Sequence, residues 1–121
     1  MTSRKAGRGQ QPRHAVELSF MAPRSIGGGV NHFRAQTTGS YSGDWDHGRA
    51  LAMEYLDYVG KHPTNGNTTL LACIVLDMMK ADTSKGLIIG FMGAVNEYAM
   101  SVARLLSDET LASNQAASLP K

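Results

Sequence analysis

The tetrapeptide Asp44-Trp45-Asp46-His47 is the densest group of potential metal-ligating side chains in this 121-residue chain. Two carboxylates and an imidazole could bind a divalent ion, but such sites draw their ligands from several elements, and no second group matches this one. Acidic residues are also expected in the first turn of a helix, where they complement its dipole. We therefore interpret Asp44 and Asp46 as helix-start residues and expect no metal site and no cofactor.

The other residues with catalytic potential form no recognisable motif. Neither a Ser/His/Asp arrangement nor a Walker loop is present, and the glycine-rich stretch 25–29 is not followed by the GK[ST] of a phosphate loop. Cys73 lies in an apolar run, which is typical of a buried thiol rather than a reactive one. The histidines are scattered without ligand spacing: His14, His32, His47 and His62. The chain is therefore predicted not to be an enzyme.

Positive charge is concentrated in the first forty residues. Residues 1–40 hold six basic residues against one acidic residue, a net charge of +5, whereas residues 41–121 hold six against nine, a net charge of −3. Five of the six are arginines, whose planar guanidinium pairs well with phosphate or carboxylate. The predicted residues for binding a partner protein or nucleic acid are Arg4, Lys5, Arg8, Arg13, Arg24 and Arg34. The alternative interpretation is a solvated segment that only promotes solubility.

Apolar residues recur at helical spacing from Tyr41 onward. The pattern predicts three helices, at about 44–60, 68–81 and 84–107. Acidic residues open the first helix, and Gly60 and Pro63 are expected to end it. The second helix is apolar over more than half of its circumference, which is typical of the buried centre of a small domain.

The residues before these helices show a different pattern. Residues 1–13 lack periodicity and predict a flexible basic arm. Ala15–Met21 and Val30–Thr38 are candidate strands that flank a glycine loop, so we expect a β-hairpin over about 15–38. Two strands alone are marginal in water, and this hairpin should pack on the helices. The predicted fold is α+β, mainly α, with a single domain at 14–107 and a polar tail at 108–121.

Three glycines on the last predicted helix suggest close contact with another backbone. Gly86, Gly90 and Gly93 fall on one side of this helix, although each costs about 1 kcal/mol relative to alanine in a helix interior. One interpretation is packing against the helix at 68–81 within the same chain. The other is a self-association groove, which would make the protein a homodimer.

The composition also predicts a compartment. No apolar stretch follows the N-terminal basic residues, and Gly86–Val95 is too short to cross a bilayer. A single cysteine weakly favours a reducing environment. We therefore expect cytoplasmic localisation and no membrane contact.

Two short motifs carry a family resemblance over residues 20–56. Phe20-Met21-Ala22-Pro23, followed by a candidate strand and then by Gly39-Ser40-Tyr41-Ser42-Gly43-Asp44 at the start of an alanine-rich helix, resembles the plasmid and phage antirestriction proteins of the ArdB/KlcA type. Those proteins have a "YMAP" segment, then a strand, then a "GY-x-GE" turn that opens a helix. The resemblance implies a non-enzymatic protein that counters a host defence system, and it does not indicate which residues do so.

Two functional hypotheses follow from these observations. The first is a small non-enzymatic interaction protein, a phage or plasmid accessory factor that inhibits a host defence complex by direct binding. The second is a nucleic-acid-binding regulator that uses the basic N-terminal arm. The predicted helices carry more acidic than basic residues, which argues against a helix-turn-helix reader. A single-strand binder would require several aromatic residues interleaved with the basic ones, and few are present.

Overall fold

The computed structural model describes residues 11–24 and 26–111, a part of the chain that contains three α-helices and one two-stranded antiparallel ribbon. The helices are α1 (Tyr41–Lys61), α2 (Leu70–Lys80) and α3 (Lys85–Leu106), and the ribbon strands are β1 (Ala22–Pro23) and β2 (Val30–Asn31). Short 3-10 turns occupy Ala15–Glu17 and Asn65–Thr69, and a π-helical turn at Ser107–Leu111 follows α3. The predicted α+β, mainly α fold is confirmed.

Hydroxyl caps set the starts of the two long helices. The Ser40 hydroxyl accepts a hydrogen bond from the Gly43 backbone N–H at 3.0 Å, so α1 begins at Tyr41 rather than at the predicted Asp44. The Ser84 hydroxyl accepts in the same way from the Leu87 N–H at 3.3 Å and starts α3 at Lys85. Each cap satisfies a backbone donor that the first helical turn leaves unpaired.

Helices α1 and α3 run parallel and touch along their backbones. A methyl group added at Gly86 would lie 2.7 Å from the Tyr41 carbonyl oxygen, and one at Gly90 would collide with the Trp45 carbonyl oxygen. Gly48 of α1 approaches the Leu87 carbonyl oxygen of α3 just as closely. The small residues therefore serve an intramolecular helix contact.

This contact corrects two expectations about the three glycines. The helix that fills the groove is α1, not the second helix, because α2 is the return connection between two parallel partners. Gly86 and Gly90 are buried under α1, so neither is available as a self-association groove. Gly93 does not belong to the same contact, since a methyl group there would meet nothing within 4 Å.

Three phenylalanines form the centre of the core. The rings of Phe20 and Phe33, from the segment before α1, lie 5.5 Å apart, and each lies 5.7 Å from Phe91 of α3 in an edge-on arrangement. All three side chains are almost completely buried. Residues 11–40, called the front segment below, therefore supply one wall of the core.

The predicted first strand is not where the alternating pattern placed it. Ala15–Glu17 is a 3-10 turn, while Leu18 and Phe20 are buried without strand pairing. The pairs in the ribbon are Ala22 with Asn31 and Pro23 with Val30. Alternation marks which side chains face the core, but a strand also needs a neighbour, and the only pairing in the described front segment involves two residues on each side.

Among the described residues, one helical stretch, Lys85–Glu109, is long and apolar enough to cross a membrane by length and composition. The apolar stretch predicted from the sequence, Gly86–Val95, was too short to cross a bilayer. In the structure the apolar pattern continues beyond Val95 to the end of the helix. Only 28% of the most apolar window is buried. The first half of α3 contacts α1 and the core, whereas every residue from Asn96 to Leu106 is exposed.

Candidate anion-binding groove at the ribbon tip

The loop between the two ribbon strands depends on its glycines. Gly27, Gly28 and Gly29 have φ values of +82°, +70° and +82°, a region that side chains with a Cβ rarely adopt. The Arg24 N–H donates to the Gly29 carbonyl oxygen at 2.9 Å and closes the loop. This tight turn leaves Ile26 87% exposed at the tip. The described part of the loop, residues 26–29, thus presents an apolar side chain to solvent.

A shallow groove of about 340 Å³ lies beside this tip. Its lining contains the two arginines that the sequence predicted within the ribbon region, together with one amide and two apolar side chains: Pro23, Arg24, Ile26, Asn31 and Arg34. Arg24 follows β1 and Arg34 lies shortly after β2. Because the strands are antiparallel, residues ten positions apart in the sequence reach the same groove.

Asp77 of α2 holds the base of the ribbon. Its Oδ2 accepts a 2.8 Å hydrogen bond from the His32 backbone N–H and lies 2.9 Å from His32 Nδ1. Its Oδ1 lies 3.6 Å from Arg24 Nη2, an ion pair without a close hydrogen bond. Burial by itself would raise the pKa of Asp77, but the His32 hydrogen bonds and the Arg24 charge outweigh it and leave that pKa below its usual value.

Arg34 combines a fixed backbone with a free side chain. Its N–H donates to the Phe20 carbonyl oxygen at 2.7 Å, and the preceding residue, Phe33, is anchored in the core. Its guanidinium is exposed and makes no ion pair with any described residue. With Arg24 only loosely engaged by Asp77, the groove offers two cations that could together bind a carboxylate or a phosphate.

Of the remaining predicted binding residues, only Arg13 is described, and it does not line this groove. Arg13 is exposed, and its backbone N–H donates to Glu17 Oε1 at 2.9 Å. The two residues before it contact the end of α1, where Lys61 Nζ donates to Gln11 Oε1 at 2.9 Å. Arg4, Lys5 and Arg8 lie outside the described residues. The described end of the predicted arm therefore contacts the C-terminal end of α1.

Asp44, the first residue of the metal-like tetrapeptide, makes structural hydrogen bonds. Its carboxylate accepts from the Thr38 N–H at 2.5 Å, from the Thr38 hydroxyl at 2.8 Å and from the Ser84 hydroxyl at 2.7 Å. The Thr38 backbone bond is the main reason that the pKa of Asp44 is lowered, and Ser84 adds to it. Asp44 thus joins the front segment, α1 and the start of α3. Within the described ranges, no three His, Cys, Asp or Glu side chains cluster as metal ligands.

Sequence reasoning missed the parts played by Asp77 and Glu54. Glu54 reads as a solvating charge on a helix face, yet its two carboxylate oxygens accept 2.6 Å hydrogen bonds from the Ser19 N–H and hydroxyl. Asp77 did carry a usable signal, because it is the only acidic residue in the apolar helix Leu70–Lys80. An isolated carboxylate on a buried helix indicates a polar partner elsewhere in the chain.

No protein-family model matches the chain, and searches of curated proteins and of solved structures likewise return no match.

Proposed function

We propose that this chain is a non-enzymatic interaction protein that binds an acidic surface of a partner protein through the groove at the ribbon tip. The observation that carries the proposal is the convergence of Arg24 and Arg34 on one groove next to the exposed Ile26. Arginine beside an apolar anchor is a common composition of protein interfaces. The groove is built on a ribbon that is anchored from below, so little ordering is needed on binding.

The charge distribution favours a protein over a nucleic acid. Residues 41–111 hold five basic and nine acidic residues, a net charge of −4. An extended phosphate backbone that leaves the groove would be repelled by that surface. The groove lining also has no aromatic side chain on which a base could stack. A local patch of carboxylates on a folded partner fits the size of the groove better.

A host defence complex is the first partner that we propose to test. The support is the resemblance to antirestriction proteins, whose first motif, Phe20 to Pro23, leads directly into the groove. In this proposal the chain is a phage or plasmid accessory factor that inhibits the complex by occupying an acidic surface. No catalytic step is required, because occupancy alone prevents the complex from acting.

The test is affinity capture with the full-length chain, followed by mass spectrometry. The informative variant is R24E/R34E, and the matched control is K80E/K85E, which makes the same change in net charge at two exposed lysines. We expect the wild type and the control to retain a stoichiometric protein partner. The groove variant should lose at least about tenfold in affinity, as expected for reversed interface charges. Equal capture by all three proteins would refute the proposal.

Nuclease treatment and a salt titration decide the nucleic-acid alternative. If the groove binds phosphates, the logarithm of the binding constant should fall linearly with the logarithm of the salt concentration. On duplex DNA the slope should be near −0.9 per phosphate contacted. A partner that disappears after nuclease treatment, together with DNA binding that R24E/R34E weakens, would replace the proposed protein partner with nucleic acid. Absence of DNA binding at about 50 mM salt would dismiss that alternative.

A further inference from the structure

We infer that a second copy of this chain covers the exposed half of α3, with the two α3 helices antiparallel. This inference concerns a surface other than the ribbon groove and does not depend on the proposed function. It rests on an apolar face that continues beyond the core, a cleft that the same face lines, and a charge pattern that is complementary to itself in one orientation.

The apolar face of α3 that packs on the core continues into the second half of the helix, where no other part of the described chain covers it. Its residues follow alternating steps of four and three: Leu87, Phe91, Ala94, Tyr98, Ser101 and Leu105. The first three are buried, whereas Tyr98 and Leu105 are 57% and 58% exposed. This spacing is the repeat that brings two helices together along a common seam. The second half of α3 therefore presents a helix-packing face without a covering helix in the described chain.

A cleft lies at the base of the exposed half. Helices α1 and α3 touch at Gly48 and Gly90, and above that contact they leave an opening of about 320 Å³. Arg49, Met53 and Leu56 line it from α1, and Ala94, Glu97, Tyr98 and Ser101 line it from α3. Met53 is itself 58% exposed. The cleft is therefore a mainly apolar recess with the Arg49–Glu97 ion pair in its lining, and its size fits one or two aliphatic side chains.

When two copies pack with their α3 helices antiparallel, a side chain from each copy fills the recess of the other. An axis between Ala99 and Met100 brings Leu105 of one copy next to Ala94 of its partner and Tyr98 next to Ser101. Each large side chain then meets a small one, as helix packing requires. Since the axis is a two-fold, both clefts receive a leucine, and the contact closes as a dimer.

The charges along the edge of this face select the antiparallel orientation. Glu97 and Arg104 are seven residues apart on the same edge, and reversal about an axis between Met100 and Ser101 places each opposite the other in the partner. That axis is one residue from the axis of the apolar pairs, so the two registers differ by two residues, about 3 Å along the helix, which the long Glu97 and Arg104 side chains can span. Glu97 is already held by Arg49 at 2.7 Å and 3.0 Å, while Arg104 makes no ion pair with any described residue. The partner's Glu97 supplies the missing carboxylate.

Other occupants fit this face less well. A membrane-surface helix needs a basic polar face to bind anionic lipid. The exposed end of α3 and the turn after it carry Glu97, Asp108 and Glu109 against Arg104 alone. A bilayer span would require the first half of α3 to leave its backbone contact with α1. A second copy needs neither change.

The test is the solution mass of the full-length chain, measured by sedimentation equilibrium. The seam is short, so we expect a dimer of twice the 13.0 kDa monomer mass to form at micromolar concentrations, over a range from about 1 to 200 µM. L105E should abolish the dimer, whereas L76E, at another exposed leucine on α2, should leave it intact. Circular dichroism confirms that both variants remain folded.

Charge exchange tests the orientation. R104E alone should weaken the dimer roughly tenfold, because two ion pairs become two repulsions. R49E/E97R/R104E, which also reverses the pair between residues 49 and 97 and so keeps it attractive, should restore most of the affinity. A monomer at every concentration, a dimer indifferent to L105E, or no recovery in the triple variant would overturn the inference. A monomer that sediments with anionic vesicles, and loses this binding in L105E, would also overturn the inference. The exposed face would then be a lipid-binding surface.

Discussion

The helical body and the front segment are held together by different kinds of contact. Helices α1 and α3 meet through small residues and apolar faces, with backbone against backbone at Gly48 and Gly90. The front segment has almost no regular structure of its own, and two phenylalanines and three helix-borne carboxylates fix it: Asp44, Glu54 and Asp77. An irregular segment can therefore be as firmly placed as a helix when the helices supply its hydrogen-bond partners.

Truncation of Phe33 tests whether the front segment is part of the cooperative fold. We expect F33A to lower the free energy of unfolding by about 3–5 kcal/mol, because the ring is almost fully buried between Phe20 and Phe91. Thermal and denaturant unfolding measure the loss. The control is Y41A, which removes an aromatic ring that is 55% exposed and should have a small effect. If F33A released the front segment while the helices unfolded as in the wild type, the two regions would be separate units.

The same comparison explains what could be predicted from the sequence. The helices were predictable to within about three residues because their periodicity and their end signals are local. The hairpin and the start of its second strand at Val30 were also predictable, but the first strand was not, since Leu18 and Phe20 alternate for burial in the core and have no strand to pair with. The candidate groove was half predictable: charge singled out Arg24 and Arg34, but only the ribbon register brings them together.

Carboxylate contacts explain the rest of what sequence reasoning missed. Asp77 meets His32 across 45 residues and Glu54 meets Ser19 across 35. No local spacing encodes such a pair. Without a partner in view, an acidic residue on a helix is most simply interpreted as a solvating charge.

A pair of alanine substitutions sharpens the account of the helical body. G90A places a methyl group against the Trp45 backbone, which cannot move aside as a side chain could, and we expect a loss of about 1–3 kcal/mol in unfolding free energy. The methyl group of G93A would have no atom within 4 Å, so this variant should gain up to about 1 kcal/mol in unfolding free energy from improved helix propensity. Chemical denaturation of both variants measures the difference. Equal effects at the two glycines would contradict the close contact between α1 and α3.

Neutralising Asp77 tests the polar attachment of the ribbon. D77N should cost about 1–2 kcal/mol, since it weakens the bonds from His32 and leaves Arg24 without its charge partner. The folded state lowers the pKa of Asp77, so its contribution is complete above the usual value of 3.8 and is lost as the pH falls through the lower, folded-state pKa. The stability gap between the wild type and D77N should therefore be widest near neutral pH and close in acid.

The matched control for this prediction is D57N. Asp57 is an exposed acid that pairs with Lys61 one turn away, so its neutralisation should change stability little at any pH. A gap between the wild type and D77N that persisted unchanged into strong acid would mean that the Asp77 charge contributes nothing. Its packing alone would then account for the loss.

The smallest expected effect concerns the attachment of the front segment to α1. S19A removes the 2.6 Å hydrogen bond from the Ser19 hydroxyl to Glu54 but leaves the one from the backbone N–H, so we expect a loss below about 1 kcal/mol. S42A, at an exposed serine in the first turn of α1, is the control. Hydrogen exchange is the more sensitive measurement, because loosening should raise the exchange rate of the Ser19 amide before global unfolding is affected. Unchanged protection at that amide would show that the backbone bond alone suffices, and that burial of Phe20 rather than Glu54 determines where this end of the front segment lies.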